Sequence, residues 1–162
     1  KAIRFEESKT RPMGRSASGV RGIRLKDNKD EVIGMVSVND VSTDILVVSK
    51  NGYGKRSSLE NYRTTNRGGK GVKTISITEK TGSLVAIKNV SDENDLMIIN
   101  KSGIAIRMSI EKLRVMGRAT QGVKLINLKG EDTIAAVAKV IKEDESDEDS
   151  QENSPENEDL SI

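Results

Sequence analysis

The sequence GVKTI at residues 71–75 decides the fold, because close copies of it, GVRGI and GVKLI, stand at residues 19–23 and 122–126. The copies are separated by 52 and 51 residues, and each follows three arginines at matching offsets. These arginines are Arg4, Arg11 and Arg15, then Arg56, Arg63 and Arg67, then Arg107, Arg114 and Arg118. Nine of the eleven arginines therefore belong to one internal repeat, which is typical of an array of similar structural units.

Short apolar runs within each repeat predict β-strands. The runs are rich in β-branched residues or alternate with polar ones, and turn sequences such as KNG at 50–52 and KSG at 101–103 separate them. They lie at residues 1–5, 32–38, 45–48, 53–56, 75–77, 84–90, 96–99, 104–107 and 134–141. Since no long stretch carries a helical stripe of apolar residues, the sequence predicts an all-β protein.

The repeat length predicts a propeller-like architecture. Three or four short antiparallel strands in about 51 residues are typical of one propeller blade, and we divide the chain into repeats at residues 1–52, 53–103 and 104–141. Propellers close with about 4 to 8 blades, so three repeats are too few for a ring. Because the chain also begins part-way through a repeat, the sequence predicts the C-terminal half of a larger toroid.

Charge is distributed unevenly along the 162 residues. The whole chain carries 27 Lys and Arg against 25 Asp and Glu, yet residues 143–162 hold ten acids and no base, which leaves residues 1–141 at +11. Such asymmetry points to nucleic acid or another polyanion as the partner. The acidic segment has too few apolar residues to fold. We therefore predict that residues 142–162 are disordered and compete with DNA for the basic surface.

The composition excludes several classes of function. Without Cys or His the chain lacks thiolate and imidazole metal ligands and the usual general base, which excludes most hydrolase and zinc chemistry. We expect no metal and no cofactor. Neither a membrane span nor a secretory signal is evident, which indicates an intracellular protein. The three aromatic residues, Phe5, Tyr53 and Tyr62, are too few for base-stacking platforms, which favours the duplex backbone as ligand.

The third arginine of each repeat lies in a loop rich in small residues, where main-chain N–H groups can approach phosphates. The loop at 66–71, NRGGKG, is not a nucleotide-binding P-loop, because Ser or Thr after the lysine and a following helix are both missing. The predicted DNA-binding residues are Arg11, Arg15, Arg21, Arg63, Arg67, Gly68, Gly69, Lys70, Lys73, Arg114, Arg118 and Lys124. We also expect a positive φ at the equivalent residues Gly14, Asn66 and Gly117.

The first arginine of each repeat lies inside a predicted strand. These residues, Arg4, Arg56 and Arg107, adjoin apolar neighbours. A planar guanidinium in such a position can pair with carboxylates or carbonyl groups between blades, or it can contact DNA. The sequence leaves both roles open for these three residues.

Several of these sequences together resemble the C-terminal domain of bacterial DNA gyrase A. They are GYGKR at 52–56, YR at 62–63, RGGKGV at 67–72 and GRATQGV at 117–123. The resemblance covers residues 1–141, and the acidic segment also fits it. It implies a β-pinwheel, a propeller variant with strands exchanged between blades, whose basic rim wraps duplex DNA so that an ATP-driven topoisomerase introduces negative supercoils. It further implies a bacterial cytoplasmic, nucleoid-associated heterotetramer of gyrase A with gyrase B, with the catalytic residues elsewhere.

One departure from that family keeps alternatives open. The family's diagnostic box, QRRGGK/RG, lies in its first blade, whereas the similar TNRGGKG of this chain stands at residues 65–71, in a later repeat. Either the box lies upstream or this stretch is a degenerate copy. The equivalent domain of topoisomerase IV is therefore an alternative, and a propeller used as a protein-interaction scaffold is another. The high charge and few aromatic residues favour DNA over protein docking.

Overall fold

The computed structural model describes residues 1–142, where the regular structure is β-strand apart from two 3-10 turns at Glu7–Lys9 and Leu59–Asn61. The strands are β1 (Asp44–Ser49), β2 (Tyr53–Ser58), β3 (Leu84–Val90), β4 (Asn94–Asn100), β5 (Ala105–Ser109), β6 (Val123–Lys124) and β7 (Ile134–Ile141). The expected all-β fold is confirmed. Neither turn is long and apolar enough to cross a membrane, and the described part holds no other helix. The predicted disorder of residues 142–162 lies outside the described residues except for Lys142.

The strands form two antiparallel sheets of the same design. One sheet, called the middle sheet below because it lies between the first and third repeats, has the order β3-β1-β2-β6. The other, called the last sheet, has the order β5-β4-β7. In each sheet a central strand forms a hairpin with the next strand and pairs with a third strand on its other side. The register shifts at equivalent places, Val48/Ser49 in β1 and Ile99/Asn100 in β4. The sequence repeat is therefore also a repeat of hydrogen-bonding pattern.

Neighbouring repeats exchange a short strand. β6 belongs to the third repeat, yet its residues pair with Tyr53 and Gly54 of β2 in the middle sheet. One repeat earlier, Val72 makes the equivalent antiparallel bridge to Ala2. The repeated Gly-Val phrase, at residues 71–72 and 122–123, thus pairs with the unit that precedes it, as an isolated bridge in the first case and as strand β6 in the second.

Strand β1 lies between two apolar cores, since all six of its residues are buried. Its two faces pack into different clusters, which explains why the strand is a continuous apolar run rather than an alternating one. Leu46 and Val48 join a cluster with Val90, Leu96, Ile98, Ile110, Leu113, Ile126 and Ile134. Ile45 and Val47 join the other cluster, with Leu59, Tyr62 and Ile75. The middle sheet is therefore packed against a neighbour on each face.

Three predicted strands differ in the structure. Residues 32–38 and 75–77 are irregular, and residues 1–5 make isolated bridges only, at Ala2 and Arg4. Alternation of apolar and polar residues indicates which side chains are buried, and Val36 and Val38 do pack against a core cluster. A strand also needs a hydrogen-bonded partner along its length. Within residues 1–142, the segments 32–38 and 75–77 have no such ladder.

Candidate nucleic-acid interface

The Gly-rich loops pack on the preceding unit through main-chain hydrogen bonds. We call the contacts between residues 2–24 and 59–72 the first junction, and those between residues 54–76 and 110–124 the second junction. At the first, Gly68 N–H donates to the Gly22 carbonyl at 2.7 Å, and Arg24 N–H donates to the Gly69 carbonyl at 2.8 Å. The equivalent bond at the second runs from Ser76 N–H to the Thr120 carbonyl at 3.0 Å. The two loops are thus held in similar ways.

The loop arginines at the two junctions, Arg67 and Arg118, are each anchored to a carbonyl of the repeated Gly-Val-basic phrase. Arg67 donates from Nη1 to the Arg21 carbonyl at 2.7 Å, and Arg118 donates from Nη1 to the Lys73 carbonyl at 2.9 Å. Arg67 also donates from Nε to the Lys9 carbonyl at 3.4 Å. These bonds still leave most of the N–H donors of each guanidinium without a protein acceptor among residues 1–142. Both arginines are half-buried. At each junction the loop guanidinium therefore lies against the main chain of the basic residue of the preceding unit.

The other predicted DNA-binding side chains are exposed. This is true of Arg11, Arg15, Arg21, Arg63, Lys70, Lys73, Arg114 and Lys124. Within the described part of the chain, none of them lies in an ion pair. Gly68 and Gly69 are half-buried in the loop and contribute main-chain groups. Such unpaired, exposed bases are available to a polyanion.

The expected positive φ at Gly14, Asn66 and Gly117 is wrong. None of the three has one, whereas the glycines that open the Gly-Val phrase do, with φ of 79° at Gly19, 67° at Gly71 and 81° at Gly122. At two of these positions the close approach of another unit adds a second requirement. A Cβ on Gly71 would collide with the Ala2 carbonyl oxygen, and one on Gly122 with the Gly54 carbonyl oxygen. Glycine there permits the strand exchange.

Arg56 is the most heavily paired of the three strand arginines. Its side chain is 10% exposed and donates to Asp44 Oδ2 and Asp92 Oδ1, each at 2.5 Å, and to the Ile110 carbonyl at 3.3 Å. Burial alone would lower the pKa of Arg56, but the hydrogen bonds and charges of Asp92 and Asp44 outweigh it and raise that pKa. Arg56 of β2 therefore binds to β1, to the loop that follows β3 and to Ile110 of the third repeat.

The other two strand arginines have fewer partners. Arg4 donates from Nη1 to the carbonyls of Leu59 and Tyr62 at 3.3 and 3.4 Å, which is the counterpart at the first junction of the bond from Arg56 to Ile110. Arg107 pairs with Asp95 at 2.7 Å, but its side chain is 44% exposed. The three positions thus differ in burial although they occupy the same place in the repeat.

Lys55 is a buried cation that the sequence analysis did not single out. It lies in β2, is 1% exposed, and donates from Nζ to the Gly117 carbonyl at 2.7 Å. Burial, followed by the positive charges of Arg118 and Lys73, lowers the pKa of Lys55 to about 8. The sequence did hold a signal, since the residues one repeat before and after Lys55 are Ile3 and Ile106.

Family comparison gives a consistent result along the chain. The family model described as "DNA gyrase C-terminal domain, beta-propeller" matches residues 1–39, 43–91 and 94–141. DNA gyrase A of Staphylococcus aureus (strain NCTC 8325 / PS 47) is 48% identical over 160 residues, which is 97% of this chain and 18% of that protein. The gyrase A of strain MRSA252 is 48% identical over 158 residues. This chain therefore spans less than a fifth of the length of these relatives.

Two solved C-terminal domains have a fold similar to that of this chain. A DNA gyrase A C-terminal domain is similar with a TM-score of 0.77 and 29% identity, over 85% of this chain and 46% of that one. The C-terminal domain of DNA topoisomerase IV has a TM-score of 0.78 over 85% of this chain and 42% of that one, but at 19% identity it shows the fold alone. The sequence matches thus favour gyrase over the topoisomerase IV alternative. Since the family model covers all three repeats, the chain belongs to the DNA gyrase C-terminal domain family of β-propellers.

Proposed function

We propose that this chain is a non-catalytic DNA-wrapping segment of a gyrase A protein. Its three repeats, at residues 1–52, 53–103 and 104–141, act as consecutive blades of a β-pinwheel that bends duplex DNA along a basic rim. The bent DNA lets the ATP-dependent holoenzyme introduce negative supercoils. The partners are double-stranded DNA and, in a heterotetramer, gyrase B together with the rest of gyrase A. The complex works in the bacterial cytoplasm, at the nucleoid.

One observation carries this proposal. Each junction places a loop arginine beside the basic residue of the preceding unit, Arg67 beside Arg21 and Arg118 beside Lys73, without carboxylate partners within the described residues. Regularly spaced positive charge that is not paired internally suits the phosphate backbone, which carries one charge per ~1.7 Å of duplex. Contacts of this kind position DNA without reading its sequence. We therefore expect binding that tolerates sequence and favours long duplexes.

The strand arginines have a different role in this proposal. Arg56 acts structurally, because its guanidinium already binds two carboxylates and a carbonyl. Arg4 acts similarly through the carbonyls of Leu59 and Tyr62. Arg107, more exposed, keeps part of its surface for DNA.

The loop residues can be tested by counting lost phosphate contacts. In the full-length protein, changing both Arg67 and Lys70 to Ala should weaken binding to a ~100-bp duplex about equally for different sequences. The logarithm of the binding constant falls with the logarithm of salt concentration by about 0.9 per phosphate contact. The double variant should therefore flatten that slope by roughly one to two units. Fluorescence anisotropy over a range of KCl concentrations measures it.

A control with the same change of charge is available elsewhere in the sheets. Lys88 of β3 and Lys139 of β7 lie outside the predicted site, so changing both to Ala should leave the slope within about half a unit of the parent. Equal slopes for the two double variants, with normal folding, would remove the loop from the DNA path. Binding that ignores duplex length would count against wrapping, because bending energy is spread over ~20 to 30 bp.

A further inference from the structure

The second junction differs from the first by one buried charge. At the first junction the residue equivalent to Lys55 is Ile3, so that junction has Arg67 and Arg21 but no lysine beneath them. At the second junction, Lys55 holds the Gly117 carbonyl, and the following residue, Arg118, holds the Lys73 carbonyl. Lys55 is thus held at the residue before Arg118 in the loop, and the positive charges of Arg118 and Lys73 are near enough to lower the pKa of Lys55.

Within the described residues 1–142, no carboxylate balances the charge of this cluster. None of them lies within ion-pair distance of Lys55, Lys73 or Arg118. Arg56, the next residue along β2, shows the contrast, since two carboxylates bind it. A buried ammonium without an anion is costly. The equivalent residues of the other two repeats are both Ile, so this charge distinguishes the second junction as a candidate site for an anionic ligand.

We propose that Lys55, Lys73 and Arg118 form a phosphate-binding site, occupied by a backbone phosphate of duplex DNA, which holds DNA more tightly at the second junction than at the first. The inference rests on the proposed DNA-wrapping function. Lys73 is exposed and Arg118 half-buried, so these two side chains contact the phosphate. Lys55 is a positioning residue: it fixes the loop at Gly117 and adds positive charge from a poorly screened interior.

The site makes DNA binding at this junction depend on protonation. With a pKa of about 8, close to half of the Lys55 side chains are charged at pH 8, and a nearby phosphate favours the charged form. The titratable and charged groups facing Lys55 and its loop are Lys73, Arg118 and Tyr62. Burial raises the pKa of Tyr62, so that hydroxyl stays neutral over this range. Binding DNA should therefore take up protons near pH 8, and affinity should fall as the pH rises further.

The test compares the full-length protein with its Lys55→Ile variant, which installs the residue found at both equivalent positions. Calorimetric titration with a ~100-bp duplex at pH 8, in two buffers of different ionisation enthalpy, counts the protons taken up. The parent should take up as much as about half a proton per site, and the variant none. At pH 7.5 the variant should bind roughly three- to tenfold more weakly, with a salt slope lower by up to one unit.

Two further measurements keep the outcomes distinct. Lys55→Met retains a long unbranched stem, and it should reproduce the loss of proton uptake if Lys55→Ile does not fold. Proton uptake unchanged in a folded Lys55 variant would overturn the assignment. If the Arg67 and Lys70 double variant still flattens the salt slope in that case, the wrapping function stands and this site alone fails. Inorganic phosphate that stabilises the parent but not the variant, while DNA binding is identical for both, would overturn the DNA assignment in favour of a free anion.

Discussion

Replacing Arg56 with Ala tests how neighbouring units are joined. The substitution removes a guanidinium that is 10% exposed and leaves the Asp44 carboxylate, 12% exposed, without its cation. It also removes the donor to the Ile110 carbonyl across the second junction. Breaking a buried ion pair from one side costs about 3 to 5 kcal/mol. Because the second carboxylate, Asp92, is 65% exposed and regains water, we expect the lower end, about 3 kcal/mol.

The equivalent substitution one repeat later is the matched control. Arg107 pairs with Asp95 in the same register, but its side chain is 44% exposed, so Arg107→Ala should cost at most about 1 kcal/mol. Urea unfolding followed by circular dichroism measures both variants. Adding Asp44→Asn to Arg56→Ala should recover part of the loss, because the uncompensated buried charge is removed. Equal losses for Arg56→Ala and Arg107→Ala would refute the reasoning, since burial would then not decide the cost.

Two further predictions concern stability. Lys55→Ile should raise the free energy of unfolding by roughly 2 to 3 kcal/mol below pH 8, because the folded state lowers the pKa of Lys55 from 10.5 to about 8. Between pH 8 and pH 10.5 the unfolded parent binds more protons than the folded parent, so the parent gains stability as the pH rises. The difference in free energy of unfolding between the variant and the parent therefore shrinks over this range. A difference that is equal at pH 7 and pH 10 would contradict this. Gly122→Ala should cost about 2 kcal/mol or more, from its positive φ and its collision with the Gly54 carbonyl, whereas Gly117→Ala, with open space and no positive φ, should be nearly neutral in the same thermal melts.

The sequence predicted the longer strands well where a ladder forms, but it missed the short strand β6 and predicted strands where no ladder forms. Residues 84–90 and 134–141 are strands with the predicted bounds, β3 and β7. Residues 32–38 have a similar apolar content but no ladder within residues 1–142. Local pattern reports which residues are apolar, whereas pairing depends on what another part of the chain supplies. The boundary of a sheet is therefore a property of tertiary structure.

The candidate site was predicted in outline because the repeat marks it. The repeat located the loop arginines and the glycines of the Gly-Val phrase, but it did not show which glycine carries the unusual backbone. Gly71 has a positive φ, and a carbonyl of the preceding unit also lies against it, neither of which the sequence shows. Lys55 was missed for a related reason, since its burial depends on packing between units. An internal repeat shows which residues share a role. The role of a residue that departs from the repeat, such as Lys55, becomes clear only from its contacts in the three-dimensional structure.

From the strand exchange described for β6, we expect neighbouring units to unfold together. Since Val123 and Lys124 complete the edge of the middle sheet, local opening of the loop that carries them exposes the hydrogen-bonding edge of β2 in a different unit. Cooperativity is thereby passed along the array through main-chain bonds, in addition to side-chain packing. If the chain wraps DNA as proposed, a force applied at one junction would be resisted by two sheets at once, and the rim would stay rigid while the duplex bends around it.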